Sequence, residues 1–192
     1  MIYIDDHIMD FDLRQALTEV SAQRREQALR YRHERDQRLS VAVYRLLQHA
    51  LLTEYGIQQP PVLAYGANGK PMLAEWPYIH FSLSHCREAA ACVVSDKPVG
   101  IDIESIDHYD EAVAAQVMSS AELRKIHASP SPQMAFTRLW TMKESLYKLT
   151  GGDPGADILQ LLAKSEQYDF DTLLLPHCVC TVCQRKNLHD PD

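Results

Sequence analysis

The most constraining feature of the sequence is a pair of segments at residues 99–104 and 139–148. In the first, Val-Gly-Ile-Asp-Ile-Glu, apolar residues alternate with glycine or an acid, and a period of two predicts a β-strand with one apolar face. Residues two apart on a strand share a face, so Asp102 and Glu104 would point the same way, with Cα atoms about 7 Å apart. Two carboxylates this close repel each other unless a positive charge lies between them.

The second segment has the 3.6-residue period of an amphipathic helix. Its predicted apolar stripe consists of Leu139, Met142, Leu146 and Leu149. A second face would carry Trp140, Lys143, Glu144, Tyr147 and Lys148. Packed against the strand, this face would add a third carboxylate and two ammonium groups, and three carboxylates suit a hard cation such as Mg²⁺. Taken singly, the segments are equally typical of a half-buried edge strand and a helix with solvated charges.

Composition limits the class of protein. The chain has 192 residues, enough for one large domain or two small halves, and its 46% hydrophobic content is ordinary for a globular protein. A net charge of -7 argues against general nucleic-acid binding. No apolar run approaches the ~18 residues that a membrane span needs, so no membrane partner is expected. Residues 1–6 contain neither a basic region nor a signal-peptide core, which predicts a cytoplasmic location.

The cysteines near the end of the chain suggest a metal cluster at first sight. Cys178, Cys180 and Cys183 lie within six residues, among five cysteines in all. The run looks like a strand, however, and no second paired motif completes a four-ligand zinc site. Strand alternation would place Cys178 and Cys180 on one face and Cys183 on the other. We therefore expect reduced thiols without a metal role.

The remaining pattern predicts two α+β halves. Helices are expected at residues 13–28, 29–52, 133–149 and after the capping box Ser119–Glu122. Strands are expected at 79–85, 89–94, 99–104, 168–174 and 178–183, with an Asn-Gly hairpin at 64–71. The order of helix, hairpin and strands loosely recurs after residue 100. The sequence thus predicts antiparallel sheets in an N-terminal half, 1–98, and a C-terminal half, 99–192.

Basic residues in the first half are candidate anion contacts. Arginines crowd the predicted helices between Arg24 and Arg38, where the simplest interpretation is a solvated face with ion pairs between successive turns. Beside a phosphate-bearing ligand they become candidate partners for it. Lys70 follows the hairpin turn and His85 ends a predicted strand. Alone, each is more typical of an exposed loop lysine and a structural histidine.

Three motifs resemble one family. Phe-Ser-Leu-Ser-His at 81–85, the acidic strand at 99–104 and Trp-Thr-Met-Lys-Glu-Ser-Leu-Tyr-Lys at 140–148 look like the signature of the Sfp-type 4'-phosphopantetheinyl transferases. The resemblance in identity, order and spacing extends over roughly residues 24 to 183. It implies the pseudo-twofold fold of that family, two similar halves that each pack a helix on a small antiparallel sheet. It also implies coenzyme A between the halves and Mg²⁺ on its pyrophosphate.

The resemblance further implies an activity and roles for individual residues. The enzyme would transfer 4'-phosphopantetheine from coenzyme A to a serine of an acyl or peptidyl carrier protein, releasing 3',5'-ADP, in fatty acid or secondary metabolite biosynthesis. The implied metal ligands are Asp102, Glu104 and Glu144. The implied coenzyme contacts are Arg24, Ser40, Lys70, Ser84 and His85. The implied catalytic residues are Glu144, Lys148 and Lys143, with the two lysines beside the pyrophosphate.

Some positions depart from the family pattern, and two other functions stay open. The departures are Ser82 where Asn is common, Gln27 where a basic residue sometimes occurs, and Asp153-Pro154 in a Gly-rich stretch. A different Mg²⁺-dependent phosphoesterase would use the same three carboxylates on water. A non-catalytic module that binds coenzyme A or a carrier protein would be expected to lack one of them. The general base is either Glu144 or a water on the metal, and the internal repeat makes a monomer the expected state.

Overall fold

The computed structural model describes residues 1–107, 109–152 and 155–186. Its α-helices are α1 Leu13–Glu19, α2 Ala22–Leu29, α3 Glu34–Tyr55, α4 Glu111–Val117, α5 Ser120–His127 and α6 Pro132–Leu149, and Leu161–Gln167 form a 3-10 helix. Its strands are β1 Ile2–Asp5, β2 Leu63–Tyr65, β3 Pro71–Leu73, β4 His80–His85, β5 Ala90–Ser95, β6 Val99–Ser105, β7 Tyr168–Leu174 and β8 Cys178–Arg185. This mixture of helices with small antiparallel sheets confirms the predicted α+β class.

Two three-stranded antiparallel sheets carry most of the strands. Their strand orders are β1-β5-β4 and β6-β8-β7, and the predicted hairpin forms the separate pair β2-β3. The larger sheets meet where the backbone N–H of Ile101 in β6 donates to Ser82 Oγ in β4 at 3.0 Å. This contact places the serine face of β4 beside the acidic strand β6. The division into similar halves at residues 98 and 99 stays a prediction.

Each of these sheets is covered by a long helix. Leu47 and Leu51 of α3 share a buried cluster with Val94 of β5. Leu146 of α6 packs with Cys183 of β8 on the other sheet. Removing such side chains from water is the main favourable contribution to folding. The same packing fixes the direction in which the polar faces of α3 and α6 point.

The centre of α6 contacts its sheet through small residues as well as through Leu146 and Leu149, the buried half of the predicted apolar stripe. Thr141 is fully buried, and its hydroxyl oxygen lies 2.8 Å from that of Thr181 in β8. Ser145, one turn further on, is fully buried as well. Leu139 and Met142, expected in the stripe, are only half-buried. The helix can therefore lie closer to the sheet than leucines would allow.

Gly100 allows β6 and α6 to approach each other closely at this point. A Cβ atom at this position would lie 1.9 Å from the carbonyl oxygen of Ser145 and 2.6 Å from the backbone nitrogen of Leu149. No side chain fits into such a gap without movement of the backbone. The glycine of the first sequence motif therefore sets the spacing between β6 and α6, the two elements that carry the predicted metal ligands.

The helix ends follow local rules, with one correction. Gly56 ends α3 at a φ of 67°, and the predicted capping box of Ser119 and Glu122 opens α5. The helix predicted over residues 13–28 is wrong as a single element, because Ser21 leaves the helix and its side chain caps α2. The next helix starts at Glu34 rather than at residue 29, and α4 was not predicted. None of the helices in the described residues is long and apolar enough to cross a bilayer.

The cysteines of β8 lie on the two faces that strand alternation predicts. Cys178 and Cys180 are buried in one cluster together with Cys86. Cys183 is buried on the opposite face, against Leu146. All of them are free thiols, which agrees with the prediction of reduced cysteines. In these positions they act as small apolar side chains.

Candidate active site

Three side chains from three elements form the centre of the site. Asp102 of β6 accepts at Oδ1 from the Ser84 hydroxyl of β4 at 2.8 Å and from the Lys148 ammonium of α6 at 2.6 Å. Lys148 Nζ also lies 3.0 Å from Ser84 Oγ. Asp102 is 2% exposed, and its Oδ2 atom is buried without a hydrogen-bond partner among the described residues. A buried carboxylate is costly unless its negative charge is paired, and the ammonium of Lys148 provides that partner.

Glu104 and Glu144 bring two more carboxylates to the same place. Burial and repulsion from Asp102 raise the pKa of Glu104 to about 7, although Trp140 Nε1 donates to its Oε1 atom at 3.4 Å. The same two causes raise the pKa of Glu144, and Lys148 opposes both shifts. Burial, the larger of the two causes, disfavours the charged form of both carboxyl groups, and the charge of Asp102 adds to this effect.

These groups open onto one cavity of about 410 Å³. Its lining consists of Val43, Leu83, Ser84, His85, Asp102, Glu104, Trp140, Glu144 and Lys148. A second cavity of about 220 Å³ also borders Leu83 and Lys148 and is lined by Lys70 and Tyr147. The larger cavity lies between β4, β6, α3 and α6. Six of the predicted site residues line it: Ser84, His85, Asp102, Glu104, Glu144 and Lys148.

The donor set fits a hard divalent cation. Carboxylate oxygens are the ligands that Mg²⁺ prefers, and the unpartnered Oδ2 atom of Asp102 is a buried acceptor available to a cation. Within the described ranges, no three His, Cys, Asp or Glu side chains already form a metal-binding group. In this structure the ammonium of Lys148 compensates the charge of Asp102.

Lys143 lies elsewhere, and the prediction that it faces the pyrophosphate is wrong. Its side chain is 0% exposed, and Nζ donates to the carbonyl oxygens of Val117 at 2.8 Å and Ile158 at 2.7 Å. The same atom lies 2.8 Å from the carboxylate of Glu122. Neighbouring helical residues differ in direction by about 100°, so Lys143 points towards α5 while Glu144 points into the cavity. Lys143 fixes α6 to its surroundings and is not available to a ligand there.

We expect Lys143→Met to lower the free energy of unfolding by about 3–5 kcal/mol, because it leaves the Glu122 carboxylate buried without its cation. Urea denaturation followed by circular dichroism measures this change. Adding Glu122→Gln should restore part of the loss, since glutamine still accepts from the Ser119 N–H. Lys125→Met on the exposed side of α5 is the control and should cost less than about 0.5 kcal/mol. Equal stability of the Lys143 and Lys125 variants would contradict this assignment.

Arg24 and Ser40 lie together beside the first-half core. Arg24 is buried, its guanidinium carbon lies 5.0 Å from the ring centroid of Tyr44, and its Nη1 donates to Ser40 Oγ at 3.2 Å. Its Nε atom is buried with no hydrogen-bond partner in the described part of the chain. Neither residue borders the 410 Å³ cavity, which α3 reaches with Val43. Their contact with a coenzyme stays a prediction.

Lys70 and His85 lie at the two cavities. Lys70 Nζ donates to the carbonyl oxygens of Lys148 at 2.7 Å and Leu149 at 3.1 Å, so it caps the C-terminal end of α6. Burial lowers its pKa. His85 ends β4 at the larger cavity, and desolvation together with the Lys148 ammonium lowers the pKa of its imidazole. Lys70 thus connects the hairpin to the C-terminal end of α6.

Two contributions to the site were not predicted. The alternating pattern of the strand does not by itself reveal the role of Gly100, although a glycine inside a strand is a signal of close backbone approach. Ser82 departs from the family pattern, and its hydroxyl joins the two sheets next to the site. Asp153-Pro154, another of the three departures from the family pattern, lies outside the described residues.

Known proteins resemble the chain in the region of this site and beyond. A family model described as the 4'-phosphopantetheinyl transferase superfamily matches residues 98–171. The protein named 4'-phosphopantetheinyl transferase psf-1, from Bacillus pumilus, is 31% identical over 176 residues, which cover 90% of this chain and 76% of the relative. The chain belongs to the 4'-phosphopantetheinyl transferase family. A Bacillus subtilis 4'-phosphopantetheinyl transferase is 30% identical over 154 residues, covering 78% of the chain and 68% of the relative.

Membership of the 4'-phosphopantetheinyl transferase family makes the chain an enzyme of the transferase class. The 4'-phosphopantetheinyl transferase Sfp of Bacillus subtilis strain 168 is 26% identical over 153 residues, in agreement with the resemblance seen in the three motifs. The stretch matched by the family model contains the three carboxylates and Lys148. Both β6 and α6 therefore lie within the region that the family model matches.

Proposed function

We propose that this enzyme transfers 4'-phosphopantetheine from coenzyme A to a serine of an acyl or peptidyl carrier protein, releasing 3',5'-ADP in a Mg²⁺-dependent reaction. The observation that carries the proposal is the meeting of Asp102, Glu104, Glu144 and Lys148 around one cavity in a member of this family. Anionic phosphates need neutralisation before an oxygen nucleophile approaches, and this group of charges is suited to that task.

The chemistry assigns a role to each group. Asp102, Glu104 and Glu144 would hold Mg²⁺, which neutralises and orients the diphosphate when bound. The serine oxygen of the carrier attacks the pantetheine-side phosphorus, and the bond from that phosphorus to the bridging oxygen breaks. Lys148 offsets charge on the phosphate oxygens as that bond breaks. Glu144 is the candidate base for the serine proton, because burial makes its carboxylate more basic than an exposed one.

Intact-mass measurement of carrier proteins tests the proposal. The enzyme is incubated with coenzyme A, Mg²⁺ and a panel of apo acyl and peptidyl carrier proteins, each paired with its Ser→Ala variant as a control. We expect a mass gain of one phosphopantetheine on at least one carrier and none on its alanine variant. The carrier that reacts also indicates whether fatty acid or secondary metabolite biosynthesis is served.

The two alternative functions give different results in the same assay. A Mg²⁺-dependent phosphoesterase would cleave coenzyme A with water and without any carrier. A non-catalytic module would bind coenzyme A or the carrier but produce neither holo-carrier nor 3',5'-ADP. A cytoplasmic location, a monomeric enzyme and the absence of nucleic-acid or membrane partners stay predictions, the last in keeping with the net charge of -7.

We expect coenzyme A binding to weaken with salt and with loss of His85 or Arg24. Each charge-assisted contact to phosphate contributes roughly 1.5–3 kcal/mol, so His85→Ala and Arg24→Ala should each raise the Kd about tenfold or more. Isothermal titration calorimetry without carrier measures this, at a temperature where both variants are folded. Arg25→Ala, next to Arg24 but exposed, is the control and should bind nearly as the wild type. Unchanged affinity in both test variants would remove these residues from the coenzyme site.

A further inference from the structure

The ammonium of Lys148 occupies the position beside Asp102 at which a cation would be needed. It lies 2.6 Å from Asp102 Oδ1 and 3.0 Å from Ser84 Oγ, which itself donates to the same carboxylate oxygen. The Asp102 side chain is 3% exposed, whereas that of Lys148 is 29% exposed. The carboxylate is therefore fixed in the protein interior, while its ammonium partner reaches it from the cavity.

A divalent cation and this ammonium would compete for Asp102. Bound to Oδ1 or to the free Oδ2, a cation would lie close to Lys148 Nζ, and repulsion between like charges is much stronger in a desolvated site than in water. The four-carbon side chain of Lys148 is flexible and borders both cavities, so its ammonium has room to move away from Asp102. An anion in either cavity would offer the ammonium a new partner.

We propose that Lys148 is a resident counter-ion of Asp102 that competes with the divalent cation until the diphosphate of coenzyme A draws the ammonium away. The cation then binds tightly only together with the coenzyme. By linkage, the cation raises the affinity for the coenzyme by the same factor as the coenzyme raises that for the cation. This inference rests on the proposed function for the identity of both the cation and the anion.

Titration with Mn²⁺, followed by the electron paramagnetic resonance signal of the free ion, tests the competition without turnover. Affinities are measured for the wild type and Lys148→Met, each with and without coenzyme A, and no carrier protein is present. Without the coenzyme, we expect Lys148→Met to bind Mn²⁺ about tenfold tighter or more than the wild type, because a competing unit charge is gone. The gain in Mn²⁺ affinity on adding coenzyme A should be large in the wild type and smaller in the variant.

Three further variants separate local competition from other effects. Lys125→Met removes the same net charge at an exposed distant site and should leave Mn²⁺ affinity nearly unchanged. Lys148→Arg keeps a cation at the position and should bind Mn²⁺ as weakly as the wild type. Lys148→Gln replaces the methionine variant if that one does not fold. Equal or weaker Mn²⁺ binding in the neutral Lys148 variants, or no gain from coenzyme A in the wild type, would overturn the proposal.

The failure of this inference differs from failure of the proposed function. Absence of phosphopantetheine transfer to every carrier would refute the function, while the Mn²⁺ affinities without coenzyme would still report on competition at Asp102. Conversely, the wild type could transfer efficiently while the neutral Lys148 variants bind Mn²⁺ no more tightly than it does. That result would leave the proposed function intact and refute only the competition. The two variants with a neutral side chain should also lose transfer, so a single change is expected to strengthen cation binding and weaken catalysis.

Discussion

Replacing Glu144 with glutamine is expected to reduce transfer to a carrier protein by about 10²–10⁴-fold, the contribution typical of a positioned acid or base. The substitution keeps the shape of the side chain but removes one of three negative charges at the cavity. Asp102→Ala should be at least as damaging, since it removes the only carboxylate that contacts Lys148 in the described structure. Initial rates of holo-carrier formation, measured by mass spectrometry, quantify both effects.

The control and the metal requirement are measured in the same assay. Glu166→Gln changes the net charge equally at an exposed position and should leave the rate near that of the wild type. Excess chelator should stop transfer by the wild type, and added Mg²⁺ should restore it. Circular dichroism of each variant verifies that the fold is retained. Full activity in chelator, or in Glu144→Gln, would contradict the assignment of these carboxylates.

Gly100→Ala is expected to lower the free energy of unfolding by about 3 kcal/mol, at the upper end for an overpacked core. The added methyl group would lie 1.9 Å from the Ser145 carbonyl oxygen, so β6 and α6 must separate. Separation also moves Glu144 and Lys148 away from Asp102. Because displacements of about 1 Å reduce catalysis by about 10²-fold, transfer should be lost even where the variant is folded.

A glycine in an open turn is the matched control for this substitution. A Cβ atom on Gly66 would lie 3.7 Å from the Lys70 carbonyl oxygen, an ordinary contact. Gly66→Ala should therefore change stability by less than about 1 kcal/mol and leave transfer intact. Urea denaturation and the carrier assay are applied to both variants. If Gly100→Ala matched Gly66→Ala in both measurements, the close contact would not limit the spacing of the site.

Local sequence patterns were sufficient for a correct prediction where a single physical rule fixes the local structure. Alternation places Asp102 and Glu104 on one face whatever the surrounding fold, because successive side chains of a strand point to opposite sides. The turn at Asn68-Gly69 and the capping box at Ser119 depend on neighbouring backbone groups alone. These predictions involve short distances along the chain, and the structure confirms them.

Predictions failed where the answer depends on which other element lies beside a residue. Lys143 and Glu144 are both polar neighbours on one helix, and the sequence contains no information on which of them faces α5. Two members of the predicted apolar stripe are only half-buried, while Thr141 and Ser145 make the close contact with the sheet. Hydrophobic periodicity identifies a buried face only when apolar packing determines it, and here a glycine on the facing strand permits small polar residues instead.

Patterns along the chain were enough to predict the α+β class, the carboxylate pair on β6 and the helix that carries Glu144, and the resemblance of the motifs predicted the family. The folded chain was needed to show that Lys148 neutralises Asp102, that Lys143 is buried against Glu122, and that Gly100 brings strand and helix together. The physical reason is that charge and spacing along one element are local properties. Which charge neutralises which, and at what distance, depends on contacts between residues 46 positions apart, as for Asp102 and Lys148.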